Sequence, residues 1–91
     1  MLADNFKLFV EMYSQDPATF YSKVNEELLE LGLAFLHIKD NKVTTQQLAK
    51  EIADALIQVE KICFLYSDAM HLAKFEYKKQ IRELDKRFLH D

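Results

Sequence analysis

The chain has 91 residues, with 12 basic and 15 acidic side chains and a formal net charge of −3. This length makes one domain, residues 1–91, and the mild acidity argues against a nucleic-acid partner, which draws on a basic surface. No apolar run approaches the ~20 residues that cross a bilayer, so no membrane partner is expected, and a single cysteine leaves no internal disulfide. The opening MLADNFKLFVEMYSQD carries early acids and no basic start; it does not read as a signal peptide, and a cytoplasmic location is expected. Apolar residues make up 49% of the chain, with seven Phe and four Tyr. A chain this short buries only about 60% of the surface its unfolded form exposes, so self-association is expected from composition alone.

One Gly and one Pro in the whole chain mark it as all-α. Phe6, Phe9, Val10 and Tyr13 predict a short amphipathic helix over 3–14. Asp16-Pro17 restarts the chain, with Asp as N-cap and Pro in the first helical position, where its missing N–H costs nothing. A second helix is predicted over 17–39, then a loop at 40–43. Thr44 and Gln47 form a capping box that opens a third helix over 45–66. Ser67 and Asp68 are candidate caps for a fourth over 68–89, where Met70, Ala73, Tyr77, Ile81, Leu84 and Phe88 recur at helical spacing. The short loop predicts that helices two and three pack as an antiparallel hairpin, axes about 8–10 Å apart.

Helical-wheel geometry gives the second helix two apolar faces: Val24, Leu28, Leu31, Phe35 and Ile38 on one, Leu29, Leu33 and Leu36 on the other. Glu27 falls at the edge of the first, with Glu26 and Glu30 between the two. On the third helix the main stripe is Leu48, Ile52, Ala55, Val59, Ile62 and Tyr66, and a lesser one is Ala53, Ile57 and Phe64. Residues three apart point the same way, so Glu27/Glu30 and Glu51/Asp54 are forward-facing pairs at comparable depths from the loop. Four carboxylates between apolar walls raise one another's pKa values unless basic partners or a hard divalent cation with oxygen ligands offset them. Lys23, Lys50 and Lys61 are the facing lysines, and none is expected between the acids, which favours a metal.

The residues spell Glu26-Glu27-Leu28-Leu29-Glu30, a gap of twenty, then Glu51-Ile52-Ala53-Asp54. This resembles the EExxE…ExxD signature of the MazG-like, all-α nucleoside triphosphate pyrophosphohydrolases. EELLELGLAFL is similar to the family's EE-L-x-EL-x-x-A run and KEIADAL to its EELADVL, over about residues 20–66. The tail KFEYKKQIRELDKRF is similar in style to the last helix of short phage-type members. The resemblance implies a helical bundle completed by oligomerisation to a homodimer or homotetramer. It also implies Mg²⁺ on the carboxylates, with Mn²⁺ a candidate substitute, and cleavage of (deoxy)nucleoside triphosphates to the monophosphate and pyrophosphate. Glu27, Glu30, Glu51 and Asp54 match the metal ligands, and Glu26 the leading acid, which serves a second ion or the attacking water. Many members carry a basic K-x-x-x-N-x-x-R element whose Asn has no counterpart here; Lys78, Lys79 and Arg82 are the nearest substrate-binding candidates.

The remaining chemistry-bearing residues read as structure. His37, His71 and His90 lack the paired E-x-x-H pattern of di-iron bundles, and Cys63 falls on the apolar stripe with no nucleophile constellation. Phe6, Phe9, Tyr13 and Tyr21 are core or interface aromatics and candidates for stacking on a base. Gly32, costly inside a helix, is expected where another helix approaches closely. A reading from another class stands beside the enzyme: a non-catalytic helical assembly module that uses its exposed apolar faces and carries its acids on the surface.

Overall fold

The computed structural model describes residues 3–89, and these are all-α, with no strand. A 3-10 turn, Ala3–Asn5, leads into α1, Phe6–Gln15; α2 is Pro17–Ile38, α3 is Thr45–Leu65 and α4 is Ser67–Leu89. The boundaries follow local chemistry. Asp16 alone separates α1 from α2: its carboxylate accepts from the Thr19 backbone N–H at 3.2 Å and from the Thr19 hydroxyl at 2.6 Å, with Pro17 next in line. At the start of α3, Thr44 Oγ1 accepts from the Gln47 N–H at 3.1 Å while Gln47 Oε1 accepts from the Thr44 N–H at 2.7 Å. Between them Asn41 takes φ 59°, a left-handed conformation that a short polar side chain tolerates. The last junction lies at Tyr66 (φ −131°, ψ 67°), one residue before the expected caps; Ser67 and Asp68 are inside the first turn of α4.

Helices α2 and α3 make the main contact, and residues early in α2 meet residues late in α3: Phe20 lies against Lys61 and Phe64, Glu27 against Glu51 and Asp54. Helix α1 closes one end with an aromatic cluster. Phe9 and Phe20, 1% and 2% exposed, meet edge to face at 6.3 Å, and Phe64 lies 5.8 Å from Phe9. Phe6 joins through Phe64 at 5.4 Å and Tyr13 through Phe20 at 5.5 Å. Such pairs add about 0.5–1.5 kcal/mol each beyond area burial. The Tyr66 hydroxyl, with burial and Tyr13 adding to it, pushes Tyr21 up to about 12, so its phenol stays protonated.

The inward faces are only partly those that hydrophobic periodicity predicts: Val24, Leu31, Ile38, Leu48 and Ala55 are covered as expected, and others are not. On α2 the covered line is Phe20, Val24, Glu27, Leu31, Ala34 and Ile38, so Glu27 is central rather than at the edge. Leu28 and Phe35, expected inside, are 37% and 70% exposed. On α3 the covered line is Leu48, Glu51, Asp54, Ala55, Gln58, Lys61 and Leu65, turned by roughly 75° from the expected stripe. Ile52, Val59 and Ile62 are left largely exposed. Gly32 has no close neighbour, since a Cβ added there meets nothing within 4 Å; the helix contact expected at it is absent within one chain. Helix α4 touches only α3 and buries no residue. The outcome is open: the radius of gyration is 16.2 Å, where a compact chain of this length has about 12 Å. The accessible surface of 7432 Å² exceeds the norm for 10.7 kDa by about 1,900 Å².

Candidate functional site

Five carboxylates gather on the seam between α2 and α3 as two overlapping triads. Glu27, Glu51 and Asp54 form one, joining both helices; Glu26, Glu27 and Glu30 form the other along α2. Within each triad one oxygen per residue lies within 4.8 Å of the others. The structure therefore brings Glu27 together with all four of the other acids named from the sequence, while Glu30 faces Glu26 and Glu27 and is not grouped with Glu51 and Asp54. Glu27, Glu51 and Asp54 are half-buried; Glu26 and Glu30 are exposed.

The seam treats these oxygens unevenly. Glu27 Oε2 and Glu51 Oε2 are buried and accept no hydrogen bond, which is costly for an acceptor withdrawn from water. Burial raises the Glu27 pKa above its ordinary value, with Glu30 and Asp54 adding repulsion and Lys23 opposing it. Two of the facing lysines, Lys23 and Lys50, lie beside these acids. Lys23 Nζ lies 3.3 Å from Glu26 and 3.8 Å from Glu27, and Lys50 Nζ lies 3.0 Å from Asp54. The bond to Asp54 raises the Lys50 pKa, helped by the charges of Asp54, Glu51 and Glu27. Both lysines approach along their own helix from the rim, with the Lys50 side chain 72% exposed, and exposed pairs of this kind contribute little. They leave the buried oxygens of Glu27 and Glu51 untouched.

Such an oxygen-only donor set suits a hard divalent ion. Two ligands of one Mg²⁺ sit at most about 4.2 Å apart, which a small side-chain adjustment reaches from the present spacing. The orphaned oxygens of Glu27 and Glu51 are the atoms such an ion would satisfy, so the residues fit the group.

Two further polar residues occupy the same seam, and the sequence reading missed their role. Gln58 and Lys61 are 5% and 3% exposed, the only buried polar side chains among the described residues. Gln58 Oε1 has no partner. Lys61 Nζ lies 5.0 Å from the Phe20 ring centroid; burial lowers its pKa, while the Glu27 charge opposes the fall. The signal was present as spacing: Glu51, Asp54, Gln58 and Lys61 follow at intervals of three, four and three, one face of a helix.

Other candidates lie elsewhere. Lys78, Lys79 and Arg82 are exposed on α4, which makes no contact with α2, so one chain does not bring them to the carboxylates. Phe9 is sealed in the core and unavailable to a base. His37 is half-buried at the end of α2, His71 is exposed on α4, neither belongs to a carboxylate triad, and His90 lies outside the described residues. Cys63 is half-buried and lines a cavity with Val59, Ile62, Tyr66 and Met70. Among the described residues, no helix is long and apolar enough to cross a membrane.

No protein-family model, curated protein or solved structure matches the chain.

Proposed function

We propose that the chain is a Mg²⁺-dependent nucleoside triphosphate pyrophosphohydrolase of the MazG-like type, built on an antiparallel hairpin of α2 and α3 that carries EExxE and ExxD. The observation that supports this most directly is Glu27. Its carboxylate is half-buried, one oxygen is orphaned, and it shares a triad with Glu51 and Asp54 from the other helix. Glu27, Glu51 and Asp54 would hold one ion, and Glu26, Glu27 and Glu30 offer oxygens to a second. When bound, Mg²⁺ supplies positive charge to phosphate oxygens and to the departing pyrophosphate. The carboxylates orient a water in line with the α-phosphorus and take up its proton. The new P–O bond forms as the bond from the α-phosphorus to the bridging oxygen breaks, releasing the monophosphate and pyrophosphate. Positioning and charge stabilisation supply the rate.

The active form is a homodimer or homotetramer. The surplus surface, the exposed apolar stripes of α2 and α3, and an α4 with no buried residue support this. In the assembly Lys78, Lys79 or Arg82 of one copy reach the site of another. The location is cytoplasmic.

A hydrolysis panel across the (d)NTPs at fixed Mg²⁺, read as phosphate after added pyrophosphatase, tests the activity. Hydrolysis that survives Glu30→Gln and Glu51→Gln removes these acids from the mechanism. The same exposed apolar faces favour a second reading, a non-catalytic assembly module. It requires no Mg²⁺-dependent rise in melting temperature and full tolerance of Glu27→Ala.

A further inference from the structure

A cavity of about 200 Å³ opens at the junction of α1 and α2, walled by Met12, Gln15, Asp16, Thr19, Phe20 and Lys61. Phe20 and Lys61, 2% and 3% exposed, make its floor, and the other four are exposed and make its rim. The Lys61 ammonium lies 5.0 Å from the Phe20 ring centroid, and among the described residues it has no ion pair and no hydrogen bond. A cation so deep and unpaired is unfavourable, and a ring face offsets only part of that cost. The rim carries the opposite sign. Asp16 accepts from the Thr19 hydroxyl and backbone N–H, which hold its carboxyl below the ordinary range and keep it charged. The last turn of α1 contains no basic residue, so its carbonyl end adds negative character at the same rim. Asp16 and Lys61 thus wall one cavity with opposite charges that do not pair with each other.

We propose that this cavity binds a small zwitterion of the amino-acid class, its carboxylate on Lys61 at the floor and its ammonium toward Asp16 at the rim. Each end of such a ligand meets the charge that it lacks. A phosphate or other multiply charged anion meets the Asp16 carboxylate on entry, and a simple amine meets the Lys61 ammonium at the bottom. The Gln15 amide offers both donors and an acceptor, and the flexible Met12 thioether lies against any small apolar side chain. The volume corresponds to roughly six or seven waters, about the number of non-hydrogen atoms in a small amino acid. No carboxylate of the α2–α3 seam lines the cavity, so the proposal stands apart from the ion site and from the hydrolase reading.

Carbon-13 methyl spectra of the methionines read this site directly, because Met12 is on the rim and Met70 is on α4. Titration with glycine, L-alanine and β-alanine, which differ in the reach between their charges, should move the Met12 signal along a saturating curve and leave Met70 in place. Acetate and methylammonium each carry one end of the zwitterion and should bind more weakly than L-alanine by about tenfold or more. Lys61→Leu should abolish saturation. Asp16→Asn keeps an N-cap on α2 while removing its charge; it should weaken L-alanine and strengthen acetate. The proposal is overturned if none of the three amino acids gives a saturating Met12 shift, or if Lys61→Leu binds L-alanine as wild type does. Acetate binding as tightly as L-alanine to the wild type also overturns it, since the cavity would then select charge and not a zwitterion. Should Lys61→Leu fail to fold, Asp16→Asn decides: an unchanged preference for L-alanine over acetate overturns the proposal, and a reversed one supports it.

Discussion

Removing the charge of Glu27 should act in opposite directions with and without Mg²⁺. In the metal-free protein burial, Glu30 and Asp54 all press on this carboxylate, and its folded-state pKa stands above the ordinary value of 4.5. An acid with a raised folded pKa leaves the native state holding more protons than the unfolded chain across that window. Stability therefore falls as pH rises from the mid-4s through the folded pKa. Glu27→Gln abolishes this penalty, so at pH 7 without metal the variant should melt higher than wild type. On the proposed ion site, Mg²⁺ should reverse the order. An ion present at a hundred times its Kd stabilises the folded protein by about 2.7 kcal/mol. For a chain of this size that corresponds to a rise of roughly 10–20 °C. The oxygens it would satisfy are those of Glu27 and Glu51, which accept no hydrogen bond, so Glu27→Gln should lose most of the rise. Thermal melts in EDTA and in Mg²⁺, each at pH 5 and pH 7.5, read all four quantities. The wild-type Mg²⁺ shift should also be larger at pH 7.5, where protons no longer compete for the site. An equal Mg²⁺ shift in wild type and Glu27→Gln, or none in either, refutes the argument.

Other outcomes follow from the packing. Phe20→Ala removes a ring that is 2% exposed and makes edge-to-face contacts with Phe9 and Tyr13; urea unfolding should show a loss of about 3–5 kcal/mol. Thr44→Ala breaks the capping box of α3 and should cost about 1 kcal/mol in the same measurement. Gly32→Ala meets no atom within 4 Å, so it should stabilise the chain by about 0.5–1 kcal/mol. If the variant instead melts lower and sediments at a smaller mass, a second copy packs against that glycine. Sedimentation equilibrium of the wild type should give two or four times the 10.7 kDa chain mass; a monomer at tens of micromolar would leave the exposed apolar stripes unexplained.

The helices themselves were legible because their ends are set by neighbours in sequence. Asp16-Pro17, Thr44 with Gln47, and the scarcity of Gly and Pro act over three or four residues, and the caps form as the residue types dictate. The junction at Tyr66 was the exception: Ser67 and Asp68 are both able to cap, yet neither does, and sequence offers no preference for the aromatic residue before them. The five acids were legible as a motif, and their grouping around Glu27 follows from helical spacing once α2 and α3 lie side by side.

What local order could not decide is which side of each helix turns inward. Helices α2 and α3 each carry more apolar surface than a single neighbour can cover, and periodicity alone ranks Ile52, Val59 and Ile62 above Gln58 and Lys61 for the interior. The tertiary packing reverses that ranking. The polar line of α3 faces α2, and the aliphatic line is left outward. The reason is that burial is a property of pairs of surfaces: a stripe is covered only where a complementary face exists. Within one chain Phe20 and Phe64 pack with Phe9 of α1 at one end of the α2–α3 contact, and Glu27, Gln58 and Lys61 lie on the covered lines of those two helices.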